Sequence, residues 1–285
     1  MSAGVAPAPV IRTERLSKRY GATLALDDLD LVVEPGEVYG YLGPNGAGKT
    51  TTIRLLLGLH RPTGGRAELF GTDAWRDPVR AHRRVAYVAG EPFLWPALTG
   101  AETLAYLARL RGGTDAAYRD ALVERFRLDT DKKVRALSKG NRQKVQLIAA
   151  VASRADLLIL DEPTSGLDPL MEVAFRETVA EAKARGQTVF LSSHVLTEVD
   201  STCDRIGLVR GGRLVASGTI EDIRRDATRR VTVTFADGGP PLVTDVRGPM
   251  GPLLAGLAGR PIHDVTVEPF RLEDYIAQFY GGRTR

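Results

Sequence analysis

Between residues 8 and 42 apolar and polar side chains alternate, first in "VIRTERL" and again in "LDLVVEPGEVYGYL". A period of two predicts strands, with a turn at Pro35-Gly36. After residue 48 the period lengthens: Ile53, Leu56, Leu57 and Leu59 make the apolar stripe of a helix, and Pro62-Thr63-Gly64-Gly65 reads as a turn. Residues 97–153 are helical in character. Thr99 with Glu102 is a capping box opening "AETLAYLARLRG", and a second helix runs through "DAAYRDALVERFRL". A third follows Ser138, with Val145, Ile148, Ala149 and Ala152 on one face. "DLLILDEP" is an unbroken apolar run, the mark of a parallel strand buried on both faces. "MEVAFRETVAEAKARG" predicts a helix ending at Gly186, "TVFLSSH" a further buried strand, and "RIGLVRGGRLVASG" a hairpin turning at Gly211-Gly212. Beyond residue 228 the strands "VTVTF", "LVTDV" and "IHDVTV" accompany helices in "MGPLLAGLAG" and "RLEDYIAQFY", the last with Leu272, Tyr275, Ile276 and Phe279 on one face. The pattern predicts an α/β chain in three parts: a loose tail over 1–9, a core with a helical subdomain at 97–153 inside residues 10–222, and a small α+β accessory domain over 228–285.

Composition narrows the class. A chain of 285 residues, 43% hydrophobic and 26% charged, is an ordinary globular protein with room for one large or two modest domains. No stretch free of charged side chains exceeds 12 residues, too short for a membrane-spanning helix. "MSAGVAPAPV" has neither a basic start nor an apolar core, so it reads as a tail and not as a signal peptide. The single cysteine, Cys203, leaves no internal disulfide and reads as a small buried hydrophobe in a reducing compartment. The net charge is +4, but the 7 lysines and 32 arginines are interspersed with acids and form no basic block, so no nucleic-acid partner is expected.

The chemistry begins at Gly43. Gly-x-x-x-x-Gly-Lys-Thr, Gly43 through Thr50, is the spacing of a phosphate-binding loop between a strand and a helix. Gly43, Asn45, Gly46, Ala47 and Gly48 supply backbone N–H groups to phosphate oxygens, and Pro44, which has none, belongs to the same loop; Lys49 reaches the β- and γ-phosphates, and Thr50, with Thr51 beside it, opens the helix. The Thr50 hydroxyl and Asp161, at the end of the buried strand, are candidate ligands for Mg²⁺. Glu162 is placed to polarise an attacking water, and His194 closes the next strand beside it.

These residues, with "ALSKGNRQKVQLIAA" 23 residues upstream of Asp161 at its serine, and "SGLD" (Ser165 to Asp168) after Glu162, make the chain resemble the ATP-binding cassette (ABC) transporter ATPases. The resemblance covers residues 10–220 with every motif in order, and it implies a P-loop NTPase core with a mixed sheet. It further implies that adenine stacks on Tyr20, that His194 is the switch histidine, and that Ser138 and Gly140 of one cassette face the γ-phosphate held by another. ATP and Mg²⁺ are then the ligands, and the partners are a second cassette, identical or paralogous, and a separate polytopic permease that holds the chain at the cytoplasmic face of the cell membrane. The region after residue 228 and "LWPALTG" resemble the multidrug and antibiotic exporter subgroup. A soluble cassette acting in translation or DNA repair is the alternative, although such proteins usually carry two cassettes or a long coiled coil. A P-loop kinase of a small metabolite would leave Ser138–Asn141 and "SGLD" unexplained.

Two departures stand out. Lys139 and Asn141 occupy positions where the family commonly has Gly and Gln, and Gly90 falls where it carries a glutamine that touches the metal. Gly90 has no such group, so the site falls to water or to Glu91 next to it; adjacent side chains of an extended segment point opposite ways, which favours water, with Glu91 as the alternative. "EPFLWP" offers Phe93, Leu94 and Trp95 as a surface for the permease.

Overall fold

The computed structural model describes residues 8–226 and 228–268, together with 272, 276 and 279. Strands β1 (Ile11–Tyr20) and β2 (Thr23–Val33) form an antiparallel pair. After the Pro35-Gly36 turn, β3 (Val38–Leu42) is buried throughout and leads into the glycine loop and α1 (Lys49–Leu56). On α1, Ile53, Leu56 and Leu57 are buried as the stripe requires, whereas Leu59 lies past the helix end and is exposed.

Residues 64 to 88 correct the expected turn at Gly64-Gly65. Both glycines belong to β4 (Gly64–Leu69), which pairs with β1 across a register shift between Glu14 and Ser17. β5 (Thr72–Asp73), α2 (Pro78–His82) and β6 (Val85–Val88) follow.

The helical stretch holds α3 (Gly100–Leu110), α4 (Ala116–Arg125) and α5 (Lys139–Ala152). The capping box forms in full: Glu102 N–H donates to Thr99 Oγ1 at 3.1 Å, and Thr99 N–H donates to Glu102 Oε2 at 2.7 Å. α5 is buried on more than the expected face, with Gln143, Lys144, Leu147 and Ala150 buried as well, because α3, α4 and β6 all pack on it.

β7 (Leu157–Asp161), α6 (Pro169–Ala184), β8 (Thr188–Ser193), α7 (Leu196–Thr202), β9 (Arg205–Arg210) and β10 (Arg213–Thr219) complete the core. The main sheet has the order β10-β9-β3-β8-β7-β6, with β9, β3, β8, β7 and β6 parallel. A second sheet, β2-β1-β4-β5, is antiparallel. Their apolar faces meet around Ile53 and Leu56 of α1, in a core that includes Leu26, Leu29, Tyr41, Leu69 and Phe190. The architecture is mixed α/β.

The chain divides into two compact units between Ser217 and Gly218. The second contains α8 (Ile220–Asp226), β11 (Thr228–Phe235), β12 (Leu242–Arg247), α9 (Gly251–Gly256) and β13 (Ile262–Val267). Its sheet runs β12-β11-β13, all antiparallel, over a core of Val231, Val233, Phe235 and Leu257. Of the expected last helix, Leu272 and Ile276 are buried, while Tyr275 and most of its neighbours lie outside the described residues. The expected tail at 1–9 lies outside them over residues 1–7. Cys203 is buried, and burial pushes its thiol well above the ordinary value.

Candidate functional site

The site forms where parallel strands β3, β7 and β8 end side by side, the end at which such sheets gather their functional groups. From β3 the chain turns through Gly43 to Gly48. Gly43 and Ala47 are buried, whereas Pro44, Asn45 and Gly46 are exposed, and Ala47 N–H closes the turn on the Pro44 carbonyl at 3.1 Å. Gly48, the residue before α1, has φ 110°, and a Cβ there would stand 2.8 Å from the Ala25 carbonyl oxygen. Only glycine tolerates both conditions.

Lys49 is buried and donates to the Gly43 carbonyl at 2.7 Å. Its Nζ also faces Glu162 Oε1 at 3.7 Å. Burial pulls the ammonium below its ordinary value, with the charges of Glu162 and Asp161 acting in the opposite direction. Thr50 is exposed on the first turn and donates to Asp161 Oδ2 at 3.2 Å; Thr51 beside it is half-buried.

Asp161 pairs across the sheet with Ser192, whose hydroxyl donates to Asp161 Oδ1 at 2.5 Å. Burial pushes the Asp161 carboxyl above its ordinary value, against the hydrogen bonds from Ser192 and Thr50. Adjacent residues of a strand point to opposite faces, so Asp161 and Glu162 would not share a site if β7 continued. Glu162 instead takes φ 46°, in the left-handed region, and its N–H bonds to the Ser192 carbonyl at 3.1 Å. That turn brings its carboxylate to Lys49 and, at 3.1 Å, to His194 Nδ1. A non-glycine residue held there costs on the order of 1–3 kcal/mol, a strain that concentrates at functional sites.

The other expected residues lie elsewhere. Tyr20 ends β1, and its hydroxyl is hydrogen-bonded to His60 Nδ1. Ser138 is the exposed N-cap of α5 and accepts from Asn141 N–H at 3.2 Å. Gly140 packs on the "SGLD" loop of its own chain: a Cβ at Gly140 would stand 2.2 Å from the Gly166 carbonyl oxygen. Among the described residues no hydrogen bond or ion pair links Ser138 or Gly140 to Lys49, Asp161 or Glu162.

The loop at Gly90 approaches the site through its backbone, a Cβ at Gly90 falling 3.2 Å from the Asp161 carbonyl oxygen. Glu91 is 83% exposed and pairs with Lys139 at 3.4 Å, on the α5 side. Two glutamines of α5 hold the preceding residue: Ala89 N–H donates to Gln146 Oε1 at 3.1 Å, and Gln143 Nε2 donates to the Ala89 carbonyl at 3.2 Å. Sequence reasoning missed these two glutamines and Ser192. Polar residues among the apolar positions of "QKVQLIAA" were a signal for the glutamines; Ser192 shows its role only once the strand register is known.

Such a loop, with a carboxylate pair and a histidine beyond parallel strands, defines a P-loop nucleoside-triphosphatase. The model of the family described as ABC transporter matches residues 26–165. The bacitracin transport ATP-binding protein BcrA of Bacillus licheniformis is 32% identical over 96% of this chain and 98% of its own length. The daunorubicin/doxorubicin resistance ATP-binding protein DrrA of Streptomyces peucetius is 40% identical, over 76% of this chain and 68% of its own. A solved ATP-binding subunit of an ABC transporter superposes with a TM-score of 0.70 at 36% identity, covering 76% of this chain and 92% of that one. The chain belongs to the ABC transporter family, as an ATP-hydrolysing ATP-binding subunit.

Proposed function

We propose that this chain powers export of amphipathic, drug-like compounds through a separate polytopic permease, closing with a second cassette around two ATP molecules. The observation that carries the ATP-driven part of this reading is the chain of contacts Lys49–Glu162–His194 beside the Thr50–Asp161 pair. The glycine loop and Lys49 bind the phosphates, and Tyr20 takes the adenine. The Glu162 carboxylate accepts a proton from the attacking water, while His194 holds that carboxylate in place. The Thr50 hydroxyl and Asp161 are hard oxygen donors 3.2 Å apart, which fits Mg²⁺; bound there, the ion would offset phosphate charge. Ser138, Gly140 and the N-terminus of α5 serve the γ-phosphate held by the other cassette.

The permease meets the surface at Phe93, which is 97% exposed. Among the described residues no helix is long and apolar enough to cross a membrane; in this reading the permease is another chain and holds the cassette at the cytoplasmic face of the membrane. The export direction and substrate class rest on relatives named for bacitracin transport and for daunorubicin/doxorubicin resistance. Affinity isolation of the tagged chain from its host tests the reading. The expected result is co-isolation of a polytopic membrane protein, and ATP-dependent movement of a fluorescent amphiphile such as daunorubicin in vesicles made with the pair. Isolation with ribosomes or DNA, and with no membrane protein, would overturn it.

A further inference from the structure

Tyr20 sits in a cluster that the phosphate chemistry does not use. It pairs with Thr23 at the end of the β1–β2 hairpin, and β2 goes on to place Ala25 and Leu26 against Gly48 of the phosphate loop. The Tyr20 ring, 41% exposed, meets His60 edge-on, with ring centres 5.6 Å apart and planes at 75°. Its hydroxyl shares a hydrogen bond with His60 Nδ1. Lys18 Nζ stands 4.9 Å from the ring centroid and is itself held at 2.6 Å by the Arg61 carbonyl. The cation lies over the ring and His60 meets it edge-on, and with 41% of the residue still exposed a flat ligand has ring surface to stack on.

We propose that His60 is a positioning residue for the nucleobase: it locks the Tyr20 ring so that adenine meets a platform already in place. His60 follows α1, whose first turn carries Lys49 and Thr50. One helix, roughly 12 Å long for its eight residues, therefore fixes both the phosphate end and, through His60, the base end of the nucleotide. The contribution is preorganisation. A tyrosine free to rotate must be ordered when the base binds, and immobilising one side chain costs on the order of 0.5–1.5 kcal/mol, which converts to about a two- to twelvefold weaker binding. Lys18 restricts the same ring.

This inference rests on the reading of Tyr20 as the adenine platform, and the test separates the two. Calorimetry on the full chain would compare ADP with inorganic pyrophosphate, which has phosphates but no base. His60→Ala should weaken ADP about two- to twelvefold and leave pyrophosphate affinity unchanged. His60→Asn, whose amide offers either a donor or an acceptor near the Nδ1 position, should restore most of the ADP affinity. Tyr20→Ala should lose more, about 5- to 150-fold for one stacked base. If His60→Ala weakens both ligands alike, or neither, while Tyr20→Ala weakens ADP alone, the role of His60 is overturned and the platform stands. If Tyr20→Ala leaves ADP binding intact, the platform reading falls and the proposal with it.

Discussion

Glu162 shows what a single residue contributes. Its left-handed backbone is tolerated because the turn aims the carboxylate at Lys49 and His194 instead of away from Asp161. Glu162→Gln keeps the shape and a hydrogen-bonding group but cannot accept the proton of water. Turnover should fall at least about 10²-fold while ATP still binds, and an ATP-bound dimer should accumulate in size-exclusion chromatography. Near-normal turnover would remove Glu162 from the base role. Lys49→Ala should fail one step earlier: Lys49 is a buried cation, and its loss should abolish measurable nucleotide binding in calorimetry, whereas Glu162→Gln retains it. At this scale the sequence was most legible where residue type alone dictates the chemistry, as in Gly43 to Thr50 and Asp161-Glu162. It was least legible where a backbone angle or a cross-strand neighbour decides. Nothing in "LDEP" announces that Glu162 turns left-handed, or that Ser192 will stand beside Asp161.

Elements were readable in proportion to the length and regularity of their patterns. The capping box of α3, the serine that opens α5 and the apolar runs of β7 and β8 carry local signals over several residues, and each forms as expected. Residues 64–88 pack four short elements, one of them only two residues long, and periodicity needs more than that to register. What joins elements was hidden too. α5 grips the loop at Gly90 through Gln143 and Gln146, so the helix led by Ser138 and the loop that faces Asp161 are mechanically one piece. Gln146→Leu would leave the part-buried Ala89 N–H without its acceptor and should destabilise the fold by about 1–3 kcal/mol in urea titration. An unchanged midpoint would show that water replaces the amide at no cost. The exposed Glu91–Lys139 pair is a different matter. A surface ion pair contributes about 0–1 kcal/mol, and this one directs Glu91 to α5 and not to Thr50 or Asp161. Glu91→Ala should therefore leave the Mg²⁺ concentration for half-maximal ATPase activity within about twofold of wild type. A large rightward shift would assign Glu91 to the metal after all.

For the molecule as a whole, the question is how an ATP site at strand ends can move something across a membrane that this chain does not itself cross with any helix among the described residues. The residues after Gly90 offer the link, because they divide cleanly by exposure. Leu94 is 8% exposed and belongs to the core, which removes it from the surface expected of "EPFLWP", and Trp95, at 42%, rests edge-on against Tyr106 of α3 with ring centres 4.8 Å apart. Phe93, at 97%, touches nothing that would account for a large apolar side chain in water. Burying such a ring is worth on the order of 1.5–3 kcal/mol, and the chain itself leaves that gain unused. A permease segment seated on Phe93 would be tied, three and four residues back along the chain, to the Gly90 backbone beside Asp161 and to the Ala89–α5 clamp. Phe93→Ser should accordingly lower drug-stimulated ATP turnover and transport in the reconstituted complex by about tenfold, the equivalent of roughly 1.4 kcal/mol of lost docking. Basal turnover and the melting temperature of the isolated chain should stay as in wild type, since Phe93 supports neither the core nor the phosphate loop. Trp95→Ser should instead cost stability as well as coupling, because it strips the Tyr106 ring of its partner. If Phe93→Ser leaves transport intact, the permease docks elsewhere on the cassette; if it lowers the melting temperature of the isolated chain, Phe93 supports the fold and not the docking.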